Sequence, residues 1–262
     1  MIHWFRRINR KFMSYYFIAL FFVLWEIAPK VGWANPRFVP PLSKVLLEGW
    51  KLIKNGDLFI HISISLQRTF LGFLLATAVA LPMGFILGGW LPRVAKFLKP
   101  LMNLFAQINS MTLFPLFLLL FGLGEGGKIS IIFWASFWPV LFTTLAGVQQ
   151  VDPILIKCAR SMGTNGVTVF LKVVLPGAAL QIFTGIRTGV TMAFMMLIGA
   201  EVMGANMGLG WLVHNSEANW LIPRLYTGLL TIAVIGLIIN YTLEWLESSI
   251  ITWREAAPDK NL

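Results

Sequence analysis

The amino-acid sequence predicts an all-α integral membrane protein with about six transmembrane helices, and three observations carry that expectation. Of the 262 residues, 57% are hydrophobic and only 12% are charged, whereas soluble domains carry about 25% charged residues. Apolar runs recur at 13–33, 62–90, 101–122, 128–150, 180–204 and 225–247. Each is long enough to cross a hydrocarbon layer of about 30 Å, which takes roughly 20 helical residues. The cations behind the net charge of +10 fall between these runs, not in a basic domain laced with aromatics, so the charge does not mark a nucleic-acid binder.

The elements follow in chain order. Residues 1–12 carry Arg6, Arg7, Arg10 and Lys11. Later connections carry Arg93, Lys96 and Lys99, then Lys157, Arg160 and Lys172, and the tail at 248–262 carries Arg254 and Lys260. Cations gather on the cytoplasmic side of short loops, so these segments and both termini are expected there, flanking one transmembrane domain at 13–247. The first connection is then external, and its Lys44, Lys51 and Lys54 run against the rule. The opening "MIHWFRRINRKFMSYYFIALFFVLWEIA" has the basic-then-apolar order of a secretory signal. It lacks a small-x-small cleavage site and five further spans follow, so it reads as a retained first helix. Next, "PPLSKVLLEGWKLIKNG" predicts a short amphipathic helix along the outer interface. Ser43 is its expected N-cap, Val45, Leu46, Gly49, Trp50, Leu52 and Ile53 recur at helical spacing, and Asn55-Gly56 is its stop. Such a helix serves either as a packing element or as a binding surface.

"GLGEGGKI", residues 122–129, fits the first seven positions of the phosphate-binding pattern GxxxxGK[ST]. Ile129 stands where a magnesium-binding hydroxyl is required and no strand precedes it, so a tight turn between helices is expected. Cys158 is the single cysteine, which excludes an intramolecular disulfide. His3, His61 and His214 are too scattered to suggest a metal centre or a catalytic set. No enzymatic role is expected.

The longest cytoplasmic connection, 152–176, contains "KCARSMGTNGVTVFLKVVLP". A helix-like piece is followed by a break at Gly163-Thr164-Asn165-Gly166, then by a second piece from Val167 to Val174 that ends at Leu175-Pro176. This is either an ordinary loop or a helix-turn-helix. In the second case apolar residues pack on the membrane domain, and small residues around Ala159, Ser161 and Gly163 leave room for a partner.

Ionisable residues inside spans are functional candidates, and Arg68, Arg187 and Glu201 qualify. The arginines either snorkel to the interface or attract a small anion, and Glu201 either pairs with a cation or caps a gate. Gly185, Gly189 and Ala193 form a stripe at four-residue spacing that admits a close helix neighbour, within one chain or across a dimer. Met192, Met195, Met196, Met203 and Met207 serve either as adaptable filler or as a gate lining, with filler the favoured reading. An ion-coupled secondary transporter fits poorly, since only Glu26, Glu201 and Glu244 approach the spans and no repeated half is evident.

Lys157-Cys158-Ala159, Gly163, Val173, Leu175 and Pro176 stand at the separations of the EAA motif (EAA, three residues, G, nine residues, I-x-L-P). The chain thereby resembles the permease subunits of ABC importers. "INSMTLFPLFLLLFGLGEGGKI", "CARSMGTNGVTVFLKVVLPGAALQIFTGIRTGV" and "GAEVMGANMGLGWLV" look like the permeases for nitrate, sulfonates, taurine and bicarbonate. The resemblance implies a type I ABC importer permease architecture in the bacterial inner membrane, surrounded by lipid. It also implies a second permease copy, an external solute-binding protein, and two cytosolic ATPase subunits that hold ATP and Mg, with no cofactor in this chain. It assigns ATPase coupling to Lys157, Cys158, Ala159, Arg160, Ser161, Gly163 and Pro176, with Gly163 as the turn and Pro176 as the boundary into the fifth span. Arg68, Arg187, Met192, Met196 and Glu201 are the candidates for the pathway or gate. Lys157 replaces the motif's glutamate and Cys158 its first alanine, which reverses the charge at the contact. A permease for another small organic substrate is the alternative.

Overall fold

The computed structural model describes residues 2–122 and 124–250, with side chains placed from residue 16 to residue 249. The cations of 1–12 and of the tail beyond 250 lie outside the described side chains. Every described secondary-structure element is helical, in the order α1 (Ile2–Val31), α2 (Leu42–Lys54), α3 (Asp57–Phe85), α4 (Pro92–Gln107), α5 (Ser110–Phe121), α6 (Glu125–Gln149), α7 (Pro153–Ser161), α8 (Gly166–Val169), α9 (Leu175–Gly204), α10 (Leu209–Ala218) and α11 (Ile222–Ile250). Wider π turns at Ile86–Trp90 and Phe170–Val174 extend α3 and join α8 to α9.

Among the described residues, Asp57–Trp90, Glu125–Gln149, Gly166–Gly204 and Ile222–Ser249 are long and apolar enough to cross a membrane. The run expected at 101–122 is not one straight helix: α4 and α5 meet at 88°, and the pair counts together as a fifth candidate. The break has a local cause. Ile108 is extended, and the Asn109 side chain accepts a hydrogen bond from the Met111 N–H at 2.9 Å, capping a new helix where the old one would have continued. The first expected run lies in α1 as far as Val31.

The chain divides into two compact units, Met1–Ser63 with Met207–Ile232, and Ile64–Asn206 with Ala233–Leu262. In the first, α2 seats Val45 and Leu52 inward, and the Thr227 hydroxyl of α11 donates to the Val45 carbonyl at 3.0 Å. Ser43 is not the N-cap of α2; that position is Pro41. The Ser43 N–H and hydroxyl instead donate to the Glu26 carboxylate of α1, at 2.9 and 3.0 Å. An acid from a neighbouring helix thus satisfies the positive end of α2. The expected stop at Asn55-Gly56 is present, with Gly56 at φ +82°. Helix α10 has no counterpart among the expected elements. The Gly208 N–H ahead of it donates to His61 Nδ1 at 3.1 Å, and Trp211 stacks on the same imidazole.

In the second unit α6 is the hub. Gly72, Gly84 and Gly88 each face the residue 60 positions later, namely Ile132, Thr144 and Val148. A constant offset of that kind means that the two helices run parallel. A Cβ at these glycines would come within 2.6, 2.7 and 2.9 Å of those side chains. With Ala76 and Ala80, both fully buried, they form a five-membered small-residue stripe at four-residue spacing. The stripe of Gly185, Gly189 and Ala193 on α9 closes on the antiparallel face of α6. A Cβ at Gly185 would collide with Thr143, and one at Gly189 with Val140 at 2.8 Å. The second stripe is therefore used inside this chain.

Candidate functional site

The helix hub brings together charges far apart in sequence. Arg68 lies one-third of the way along α3, Glu125 opens α6, and Glu201 lies in the last turn of α9. Because α9 runs against the other two, its C-terminal end meets their N-terminal halves. Arg68 is only 6% exposed. Its Nη1 donates to Glu201 Oε1 at 2.8 Å and its Nη2 to Glu125 Oε1 at 2.6 Å, while Nε also pairs with Glu125. The Ser65 hydroxyl, one helical turn before Arg68, contacts both Glu201 oxygens at 2.7 and 2.9 Å. Lys128 reaches Glu125 Oε1 at 3.0 Å.

Two cations and two carboxylates therefore balance. Glu201 is fully buried, whereas the Glu125 side chain is 54% exposed, so the network runs from the packed helix interior to the surface. Burying a charge without a partner is costly, and breaking a buried pair costs about 3–5 kcal/mol. Arg68 accordingly does not snorkel, and its donors are turned to carboxylates. Glu201 takes the cation-pairing alternative. Glu125, Lys128 and Ser65 were not among the residues singled out from sequence. The signal was present: Glu125 and Lys128 stand at i and i+3 in the first turn of an apolar run, inside the segment dismissed as a phosphate-binding decoy. There, Gly122 turns at φ +76°, α6 starts at Glu125, and Lys128 pairs with an acid on its own helix.

Arg187 sits apart from this network. It donates to Asn240 Oδ1 at 3.0 Å and lies 3.9 and 3.8 Å from Glu244 and Glu247, all on α11. Met192, Met195 and Met203 are exposed on α9, and Met196 is half-buried. Most of this methionine group therefore does not fill the interior of the chain, against the reading favoured from sequence.

The connection at 152–176 folds as a helical elbow. The Asp152 side chain accepts from the Ile154 N–H at 2.8 Å and Pro153 takes the first helical position, a start signal for α7. Gly163, at φ +75°, ends it. The Thr164 hydroxyl bonds back to the Ala159 carbonyl, and Asn165 caps α8 through the Thr168 N–H at 2.8 Å. Ile156 and Val173 pack on a buried cluster of Val148, Val151, Ala178 and Ile182. Lys157, Cys158, Arg160, Ser161 and Gly163 are exposed, and Ala159 is half-buried. The exposed side also carries Ile154, Leu155, Val167 and Met162, the last 82% exposed. An outer face that is apolar as well as small and polar was not legible from spacing.

The expected break at Leu175-Pro176 does not occur. α8, the π turn and α9 run on as one helical segment, Gly166–Gly204. Pro176 falls within the first two positions of α9, directly after the π turn, in which the Leu175 N–H bonds back to the Phe170 carbonyl. Proline has no N–H to lose, and the wider turn takes up the register, so the chain passes without stopping.

Residues 80–252 match the family of inner membrane components of binding-protein-dependent transport systems. The chain is 30% identical over 241 residues to the taurine transport system permease protein TauC of Escherichia coli, covering 90% of this chain and 87% of that one. It is 26% identical over 247 residues to the nitrate import permease protein NrtB of Synechocystis, covering 89% and 87%. Its fold is similar to a chain of the MetNI methionine ABC transporter solved in inward-facing conformations, with a TM-score of 0.62, 17% identity, and coverage of 71% of this chain and 92% of that one. That likeness shows the fold alone, the fold of a type I ABC importer permease. With the family match spanning most of the chain and these relatives beside it, the chain belongs to the binding-protein-dependent transport system inner membrane component family, the multi-pass permease subunits of ABC importers.

Proposed function

We propose that two copies of this chain form the translocation pathway of an importer for a small anion of the nitrate, sulfonate, taurine or bicarbonate kind. An external solute-binding protein delivers the anion, and two cytosolic ATPase subunits, which hold ATP and Mg, drive its passage. The observation that carries this reading is the elbow at 152–176. It is anchored on one side by Ile156 and Val173 and presents Lys157, Cys158, Arg160, Ser161 and Gly163 on the other, beside exposed Met162. An apolar face on a short connection is costly to leave in water, and an ATPase cleft that takes in Met162 removes it from water. In this reading residues 13–247 work as one permease domain, and both termini and the elbow face the cytoplasm.

The anion class rests on the taurine and nitrate relatives. Arg68 is not its receptor, because its donors already hold Glu125 and Glu201. It acts as a clasp at the gate, holding α3, α6 and α9 while the open face of α9 around Met192 and Met196 contributes to the pathway wall. Arg187 keeps α9 on α11. Co-expression with the ATPase and binding-protein subunits tests the proposal. ATP hydrolysis and uptake of labelled taurine or nitrate are expected only in the assembled complex, and Met162→Glu is expected to release the ATPase while the chain stays membrane-inserted. ATPase-independent uptake, or full ATPase retention by that variant, would overturn it.

A further inference from the structure

Helix α2 carries three distinct faces. At about 100° per residue, Glu48, Gly49, Val45 and Leu52 share the side turned to α11. Val45 and Leu52 are buried there, and Glu48 holds Arg224 at 3.1 Å. The adjoining sector carries Ile53, Leu46 and Trp50, exposed by 41, 60 and 67%. Beyond Trp50, along one flank, stand Lys54, Lys51 and Lys44, all exposed, with Leu47, 59% exposed, among them. Glu48 is the only acid in the helix and it is turned inward, where it also meets Lys51 at 3.4 Å. Among the described residues, Lys44 and Lys54 have no carboxylate partner.

We infer that α2 is a lipid-binding element that seats its Leu46-Trp50-Ile53 strip at the headgroup boundary and its lysine flank on anionic headgroups. Three observations favour lipid over a protein partner. α2 ends at Lys54 and α3, a membrane-crossing candidate, begins at Asp57, so a two-residue link ties α2 to a helix that enters the bilayer. The strip is apolar with an aromatic at its centre and cations along its border, which is the composition of helices that lie in a bilayer interface. The exposed charges of the helix, Lys44, Lys51 and Lys54, are all cations, complementary to lipid phosphates. The same placement accounts for three lysines in a connection where the positive-inside rule expects few. The inference goes beyond the transport reading and depends only on the membrane spans.

The test uses the full chain, with Cys158→Ser as background, reconstituted in vesicles of phosphatidylethanolamine with and without phosphatidylglycerol. A fluorophore is placed in turn at Leu46→Cys and Trp50→Cys. Both labels should be quenched by brominated lipid and shielded from aqueous iodide. Brominated phosphatidylglycerol should quench more than brominated phosphatidylethanolamine at equal mole fraction, and neutralising Lys44, Lys51 and Lys54 to glutamine should erase that difference. The attraction near a charged bilayer is about 1 kcal/mol per lysine, so each single replacement should lower local enrichment of the anionic lipid up to about fivefold. Iodide access to both labels would place the strip in water and overturn the inference. Shielding from both quenchers would mean that protein covers it, a second copy or the solute-binding protein, and would overturn it equally. Equal quenching by the two lipids would remove the headgroup recognition. None of these outcomes depends on ATPase docking at 152–176.

Discussion

Glu201→Leu tests whether the buried network clasps the helices. The substitution removes one of the two carboxylates on Arg68 and leaves a buried guanidinium whose Nη1 has lost a partner at 2.8 Å. Arg68 keeps Glu125, so the cost should lie near the lower end of the range for breaking buried pairs, about 3 kcal/mol. Arg68→Met should cost at least as much, since it strands Glu201, which is 0% exposed. The double variant Arg68→Met/Glu201→Leu leaves Glu125 beside Lys128, a balanced pair at 3.0 Å. It should be less destabilised than the sum of the singles by about 2 kcal/mol, within the usual coupling of residues in contact. Unfolding of the purified chain in mixed detergent micelles reads all four corners of this cycle. Because Arg68 and Glu201 are buried, the coupling should persist at high salt, unlike that of an exposed pair. Additive single effects, or a coupling that salt abolishes, would refute the clasp.

Further outcomes follow from the same geometry. Gly185→Val should lower stability by about 1–3 kcal/mol through overpacking on Thr143 of α6, whereas Gly166→Ala, which meets nothing within 4 Å, should be near neutral in the same unfolding assay. Gly163→Val forces a β-branched residue into φ +75°, a strain of about 1–2 kcal/mol; coupled transport should fall while membrane insertion, read by fractionation, survives. Cys158 is exposed on the isolated chain, so a bulky maleimide should label it readily, and docking of the ATPase should protect it. In intact cells an impermeant reagent should leave it unlabelled from outside, and labelling there would reverse the proposed orientation of the termini.

Residue pattern carried much of this structure, and the reason is locality. Runs of apolar residues specify helices that cross lipid, because backbone groups there must be satisfied within the helix itself. The caps and stops were readable for the same reason: Asn55-Gly56 ends α2, and Gly163 ends α7 at positive φ. The stripe of Gly185, Gly189 and Ala193 announced a close helix contact. The series Gly72, Ala76, Ala80, Gly84 and Gly88 has the same regular spacing and carries the same signal.

Partner choice belonged to the tertiary structure. Arg68 and Glu201 are separated by 133 residues, and whether they meet depends on the rotation and direction of α3 and α9 about α6. No local pattern encodes that relation. The same holds for Glu26, whose carboxylate takes over the N-terminal end of α2 and displaces Ser43 from the capping role that its position suggested. The 88° break between α4 and α5 and the unbroken passage through Pro176 turn instead on local detail, the Asn109 cap and the π turn at Phe170–Val174. Sequence alone thus determined where the long apolar helices run, but neither α10 nor the apolar outer side of the elbow. The fold decided which faces meet, because a helix's own hydrogen bonds set its shape but not its neighbour.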